Sequence, residues 1–184
     1  MSKLPKIKKR EKVDPGGMYN IERLELEFSN GEERVYQRLL TSGLGAVIIV
    51  PMLDENTVML VKEYAAGIHA YEIGLPKGRL ERGESILEGA NRELKEEIGY
   101  GARNLEELTA ITLAPGYMTH KTHLVLARDL YSESLPGDEP EPLECIPWSL
   151  DDLASLVSRD DCTEGRTIAA LYIAREYLRG GGTS

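Results

Sequence analysis

Three carboxylates sit near the end of one helical segment, where helix physics gives no reason for them. In "SILEGANRELKEEIG", residues 85–99, the apolar residues Ile86, Leu87, Ala90, Leu94 and Ile98 recur at the spacing of a single buried stripe. Glu93, Glu96 and Glu97 occupy the last turns, where the negative end of the helix dipole disfavours acids. On a helical wheel Glu97 lies roughly 65° from the stripe's centre, Glu93 roughly 105° away and Glu96 nearly opposite. Glu93 and Glu97 therefore point sideways at the edge of the core, as like charges four residues apart, an arrangement that costs about 0.3 kcal/mol even on an isolated helix. Carboxylates this close raise one another's pKa unless a cation compensates. A hard divalent cation such as Mg²⁺ or Mn²⁺, which takes carboxylate oxygens, supplies the missing reason. Taken alone, such a cluster is more often an exposed, charged helix end, with Glu88, Glu96 and Glu97 paired to Arg92 and Lys95.

The flanking segments must hold this helix in place. Gly99 stands where a left-handed C-cap belongs. Upstream, Leu24, Leu26 and Phe28 alternate with Glu25 and Glu27 before Ser29-Asn30-Gly31, the pattern of a β-hairpin. "LGAVIIVPML" is a continuous apolar run and predicts a buried strand, with "TVMLVKEYA" returning as its hairpin partner. "AYEIGLPKG" predicts a short strand broken at Gly-Leu-Pro, and "LEELTAITLAP" and "THLVLARDLY" predict two more strands. "SESLPGDEPEPLE" is a Pro-rich acidic loop, and "WSLDDLASLVS" and "TIAALYIAREYLRG" are amphipathic helices. Strands, one helix, more strands and two helices predict an α+β domain whose mixed sheet lies between helical layers.

Length and charge narrow the classes. The chain has 184 residues, 41% hydrophobic and 29% charged, which suits one globular domain, or one domain with an arm. A net charge of −9 argues against a nucleic-acid or membrane-surface binder. Residues 1–16 hold six Lys/Arg against Glu11 and Asp14 and predict a flexible basic N-terminus. Residues 17–42 form the hairpin segment and residues 43–184 the main domain. Cys145 and Cys162 have neither metal nor redox spacing, and there is no long apolar run, so the expected location is the cytoplasm, without a membrane partner.

The carboxylate cluster does not stand alone. Gly78, Glu84, Arg92, Glu93, Leu94, Glu96, Glu97 and Gly99 match the spacing G-x5-E-x7-R-E-U-x-E-E-x-G-U over residues 78–100, and Tyr100 departs only at the final aliphatic position. By this motif the chain resembles the Nudix hydrolase family. The resemblance implies an α/β/α sandwich around a mixed sheet and metal-dependent attack of water on phosphorus. It implies that Glu93 and Glu97 are the principal Mg²⁺ (or Mn²⁺) ligands, with Glu96 a further one. Arg92 would pair with Glu84 to orient the acids, and Gly78 would let the backbone pass close to the metal.

"LEFSNGEERVYQR", "VKEYAAGIHAYEIG" and "LAPGY" are similar to the ADP-ribose pyrophosphatase-like branch, and within it to bacterial hydrolases of ADP compounds. That likeness implies cleavage of ADP-ribose, NADH and diadenosine polyphosphates with release of AMP. Pro115, 15 residues beyond Tyr100, resembles a mark of the ADP-ribose branch, and Tyr117 stands near a tyrosine typical of dinucleoside polyphosphate hydrolases. Arg38, Arg79 and Lys77 are candidates for the substrate's phosphates. In the loop 137–144, Glu139 or Glu141 is the candidate general base. His69, His120 and His123 have no ligand spacing and are expected to be non-catalytic. The resemblance also implies a homodimer in which the N-terminal hairpin contributes to the partner's adenine pocket. Two other readings compete: a silent domain sensing ADP-ribose or NAD, against which the complete set of acids stands, and an RNA 5′-end processing enzyme, which the net charge disfavours.

Overall fold

The computed structural model describes residues 4–13, 20–41, 45–137 and 139–181. The boundaries expected at 16/17 and 42/43, as well as Asp138, fall outside these residues. Strands β1 (Lys6–Val13), β2 (Asn20–Glu27) and β3 (Glu33–Leu40) form an antiparallel sheet in that order. The hairpin of β2 and β3 is as the alternation predicts. The frayed basic terminus is corrected, because Lys6–Val13 is a strand. Its charges find opposites across the ladder, with Lys6 facing Glu27, Lys9 facing Glu25, Glu11 facing Arg23 and Lys12 facing Glu22. Of these, Lys6–Glu27 and Glu11–Arg23 come within ion-pair distance, each exposed and weak, and the backbone ladder supplies the rest.

Strands β4 (Ala46–Pro51), β5 (Thr57–Ala65), β6 (Ala70–Gly74) and β7 (Lys77–Arg79) precede helix α1 (Ile86–Glu97). Strands β8 (Tyr100–Thr112), β9 (Lys121–Ser132) and β10 (Glu144–Ser149) follow. A 3-10 turn, Leu150–Asp152, leads into helices α2 (Leu153–Val157) and α3 (Gly165–Arg179). Among the described residues no helix is long and apolar enough to cross a membrane.

The sheets run β7-β4-β9-β8 and β10-β5-β6. Strands β4 and β9 are parallel and their other neighbours antiparallel, so the larger sheet is mixed. The expected hairpin of β4 with β5 is corrected. The two strands are joined at the bridge Met52–Val58 and the turn hydrogen bond from the Leu53 amide to the Thr57 carbonyl, and then part into different sheets. An apolar run buried on both faces says that a strand is central, not which strands flank it.

The period of two sorts the core. Val47, Ile49, Val125 and Ala127 pack with Ala90 and Leu94 of α1. Ile48, Val50, Leu124 and Leu126 pack with Leu153, Leu156, Leu171 and Ala174 on the other face. This is the α/β/α sandwich. Leu94 is fully buried, worth about 2 kcal/mol, whereas Leu87, placed on the stripe by the wheel, stays exposed. Trp148 and Ser149, expected to open a helix, instead end β10.

Helix α1 is fixed at both ends. Ser85 and Glu88 form a reciprocal capping box, and Gly99 has φ +72°, the left-handed stop the sequence predicts. Strand β7 lies against β4 with Lys77 opposite Ile48 and Gly78 opposite Val47, which sets these residues beside α1. The approach to β7 is pinned from α3, where the buried Thr167 hydroxyl accepts the Leu75 N–H at 3.2 Å and donates to Glu164 at 2.8 Å. Thr167→Val keeps the shape but leaves that amide unpaired, so urea unfolding should show a loss of about 1–3 kcal/mol. Thr167→Ser should lose less.

Candidate active site

The acids at the end of α1 lie where the wheel places them. Glu93 and Glu97 are 8% and 9% exposed, at the margin of the core beneath β7. The Lys77 amide donates to both oxygens of Glu97, at 3.3 and 3.4 Å. A Cβ on Gly78 would land on the Glu93 carboxylate, so only glycine lets β7 pass this close.

Arg92 holds the arrangement together. Its Nε and Nη2 donate to the two oxygens of Glu84, at 2.8 and 3.1 Å. Nη1 reaches Glu93 at 2.9 Å and Glu96 at 2.8 Å, and Nη2 also donates to the Arg79 carbonyl at 3.0 Å. One guanidinium thus ties the loop before α1, the strand β7 and two acids of the helix. The Arg92 hydrogen bonds hold Glu84 below the usual carboxylate range.

Glu97 has no such partner. Burial pushes its carboxyl up to about 8; Lys77 opposes the shift, and the charges of Glu93, Glu63 and Glu139 add to it. Burial raises Glu93 as well, against the pull of Arg92. A group of carboxylates short of positive charge, on a cradle shaped by glycine, fits a hard divalent cation. Among the described residues, no three Asp, Glu, His or Cys side chains converge closely enough to hold a metal ion as they stand. Glu93 and Glu96 lean on Arg92 instead.

A cavity of about 610 Å³ opens over these acids. Lys77, Arg79, Arg92, Glu93 and Glu96 form one wall, and Gly137 and Glu139 of the acidic loop form another. An adjoining hollow of about 250 Å³ shares Glu96, Gly137 and Glu139 and reaches Glu97 and Glu141. The two candidate bases differ in setting. Glu139 borders both cavities, and its charge is felt at Glu93 and Glu97. Glu141 accepts a hydrogen bond from the Tyr71 hydroxyl.

Other candidates lie apart. Arg38 and Pro115 line a separate hollow of about 430 Å³ between the N-terminal sheet and the β8–β9 loop, and Arg38 is paired with Glu22 at 2.7 Å. Tyr117 is exposed, and its carbonyl accepts from Leu39. His69, His120 and His123 contact Tyr64, Thr122 and Glu107 respectively, and not the acids of α1. One neighbour of the site escaped the sequence reading. Glu63 pairs with the Lys77 ammonium. The alternation of β5 carries the signal, because Glu63 continues the row of Met59 and Val61 that faces α1.

The raised Glu97 has a consequence for stability. Its folded pKa lies above its ordinary value of 4.5, so the fold binds the proton more tightly than the unfolded chain. In the metal-free protein Glu97 therefore contributes a loss of stability as pH rises from about 4.5 through about 8. In EDTA at pH 8, Glu97→Gln should melt higher than the wild type, by an amount on the order of 1–3 kcal/mol, and the gap should shrink towards pH 5. Scanning calorimetry of both proteins across that range checks it.

Comparison with known proteins agrees with this geometry. The model of the NUDIX domain matches residues 44–168, and that of the NudE-type Nudix hydrolase N-terminal domain matches residues 5–38. The ADP compounds hydrolase NudE of Escherichia coli (strain K12) is 45% identical over 178 residues, covering 97% of this chain and 95% of that one. The ADP-ribose pyrophosphatase of Bacillus subtilis (strain 168) is 29% identical, over 92% and 90% of the two chains. A crystal structure of an ADP compounds hydrolase superposes with a TM-score of 0.90 at 44% identity, covering 99% of this chain and 98% of that one. With the spacing of residues 78–100, the sandwich around α1 and these matches in agreement, the chain belongs to the Nudix hydrolases.

Proposed function

We propose that the protein hydrolyses the diphosphate linkage of ADP-linked compounds, among them ADP-ribose, NADH and diadenosine polyphosphates, and releases AMP. The carrying observation is the pair of buried acids Glu93 and Glu97: Glu93 lines a cavity that also presents Lys77 and Arg79, and Glu97 lines the adjoining hollow that shares Glu96 and Glu139 with it. The likeness to an ADP compounds hydrolase along almost the whole chain supports the substrate class.

Glu93, Glu96 and Glu97 would hold the divalent cations, Mg²⁺ or Mn²⁺, which when bound neutralise phosphate oxygens and make a coordinated water more acidic. Arg92 keeps Glu93 and Glu96 in place and is itself anchored by Glu84. Lys77 and Arg79 meet the negative oxygens of the diphosphate. Glu139, on the wall opposite α1, takes the proton of the attacking water. A new O–P bond forms as the bridging O–P bond breaks, and ADP-ribose gives AMP and ribose 5-phosphate. The hollow with Arg38, Pro115 and the neighbouring Tyr117 would take the adenosine end, with the N-terminal sheet placed there in a homodimer.

A substrate panel with Mg²⁺ or Mn²⁺, read by released AMP, should show turnover of ADP-ribose that stops with EDTA. Turnover of a nucleoside triphosphate but of no ADP-linked compound would sink the proposal. Glu139→Gln should lower kcat by about a hundredfold or more with little change in KM, because proton removal is lost and binding is kept.

A further inference from the structure

The acidic loop between β9 and β10 is held firmly at its two ends. At its start, the Glu133 amide donates to the Gly99 carbonyl and the Leu135 amide to the Lys95 carbonyl, both at the end of α1. At its finish, Glu144 pairs with Lys62 of β5. Between these anchors Gly137 lies over the α1 backbone, where an added Cβ would stand 3.4 Å from the Glu96 carbonyl and 3.0 Å from a Glu139 carboxylate oxygen. The middle of the loop carries Glu139 over the cavity and Glu141 beside it.

Glu141 is met by an aromatic group that the core does not require. Tyr71 of β6 is 48% exposed, yet its hydroxyl donates to the Glu141 carboxylate. Its ring is fixed by the strand pairing that sets it opposite Tyr64, with the rings edge to face at 5.7 Å. Tyr64 is steadied in turn by His69, a further edge-to-face contact at 5.8 Å joined by a hydrogen bond. A run of three partly exposed rings on the β5–β6 hairpin thus ends in one polar contact, made to the loop that bears Glu139.

We propose that the Tyr71–Glu141 hydrogen bond is a positioning contact, which holds the loop so that Glu139 faces the carboxylates of α1. Glu141 then acts through Glu139 and is not itself the base, and Tyr71 is a positioning residue that touches no substrate. The kinetic part of this inference rests on the proposed activity, whereas the structural part does not.

Hydrogen exchange of the peptide 133–143 provides the substrate-free test. Tyr71→Phe removes one hydroxyl from an exposed ring, and exchange of that peptide should be faster than in the wild type while the rest of the chain is unchanged. Exchange identical to the wild type would overturn the proposal. With ADP-ribose, Tyr71→Phe and Glu141→Ala should each lower kcat about tenfold with KM within about twofold. The double variant should be no slower than either single one, since both remove the same bond. Glu141→Gln, whose amide carbonyl still accepts from Tyr71, should recover most of what Glu141→Ala loses. Full kcat in Tyr71→Phe, losses that multiply in the double variant, or Glu141→Gln as slow as Glu141→Ala would each refute it. Should the wild type cleave no ADP-linked compound, the functional reading fails and the exchange result alone still decides this one.

Discussion

The site depends on a single guanidinium. Arg92 spends its donors on Glu84, Glu93, Glu96 and the Arg79 carbonyl, and so fixes three separate pieces of chain with respect to one another. A lysine could not do this, because one ammonium lacks the planar fork that grips Glu84 with two nitrogens while a third reaches the helix acids. The consequence is electrostatic as well as geometric. Arg92 is committed to Glu84, Glu93 and Glu96, so Glu97 is left buried without a strong counter-charge.

The remaining structure delivers chain to this point. The two-faced strands β4 and β9 bury α1 on one side and α2 and α3 on the other, so α1 can be held by its apolar stripe alone. Its margin is then free for acids. β7 at the sheet edge brings Lys77, Gly78 and Arg79 alongside, and Thr167 of the opposite helical layer pins the turn before it. The acidic loop closes the other wall because its two ends are bound to α1 and β5, elements that already flank the cavity.

How much of this was legible in the sequence follows from the range of each interaction. Local periodicity put Glu93 and Glu97 at the rim of the core, and the family resemblance tied Glu84 to Arg92. Gly99 announced the helix stop through its backbone freedom. Nonlocal pairings stayed hidden. Nothing in residues 6–13 shows that their lysines will meet the glutamates of the next strand, so the strand looked like a loose tail. The apolar run of β4 concealed its neighbours because both its faces are buried. Composition located the acidic loop, but the difference between Glu139 and Glu141 depends on Tyr71, which is distant in sequence.

Burial holds a proton on Glu97 in the metal-free protein. Titration calorimetry of Mg²⁺ into the metal-free protein at pH 7, in two buffers of different ionisation enthalpy, measures it directly. A carboxyl held at about 8 must lose its proton as the ion binds, so the heats should differ between the buffers by the equivalent of about one proton released. Heats independent of buffer would mean that Glu97 is already ionised, and that Arg92 and Lys77 compensate the acids better than the geometry indicates.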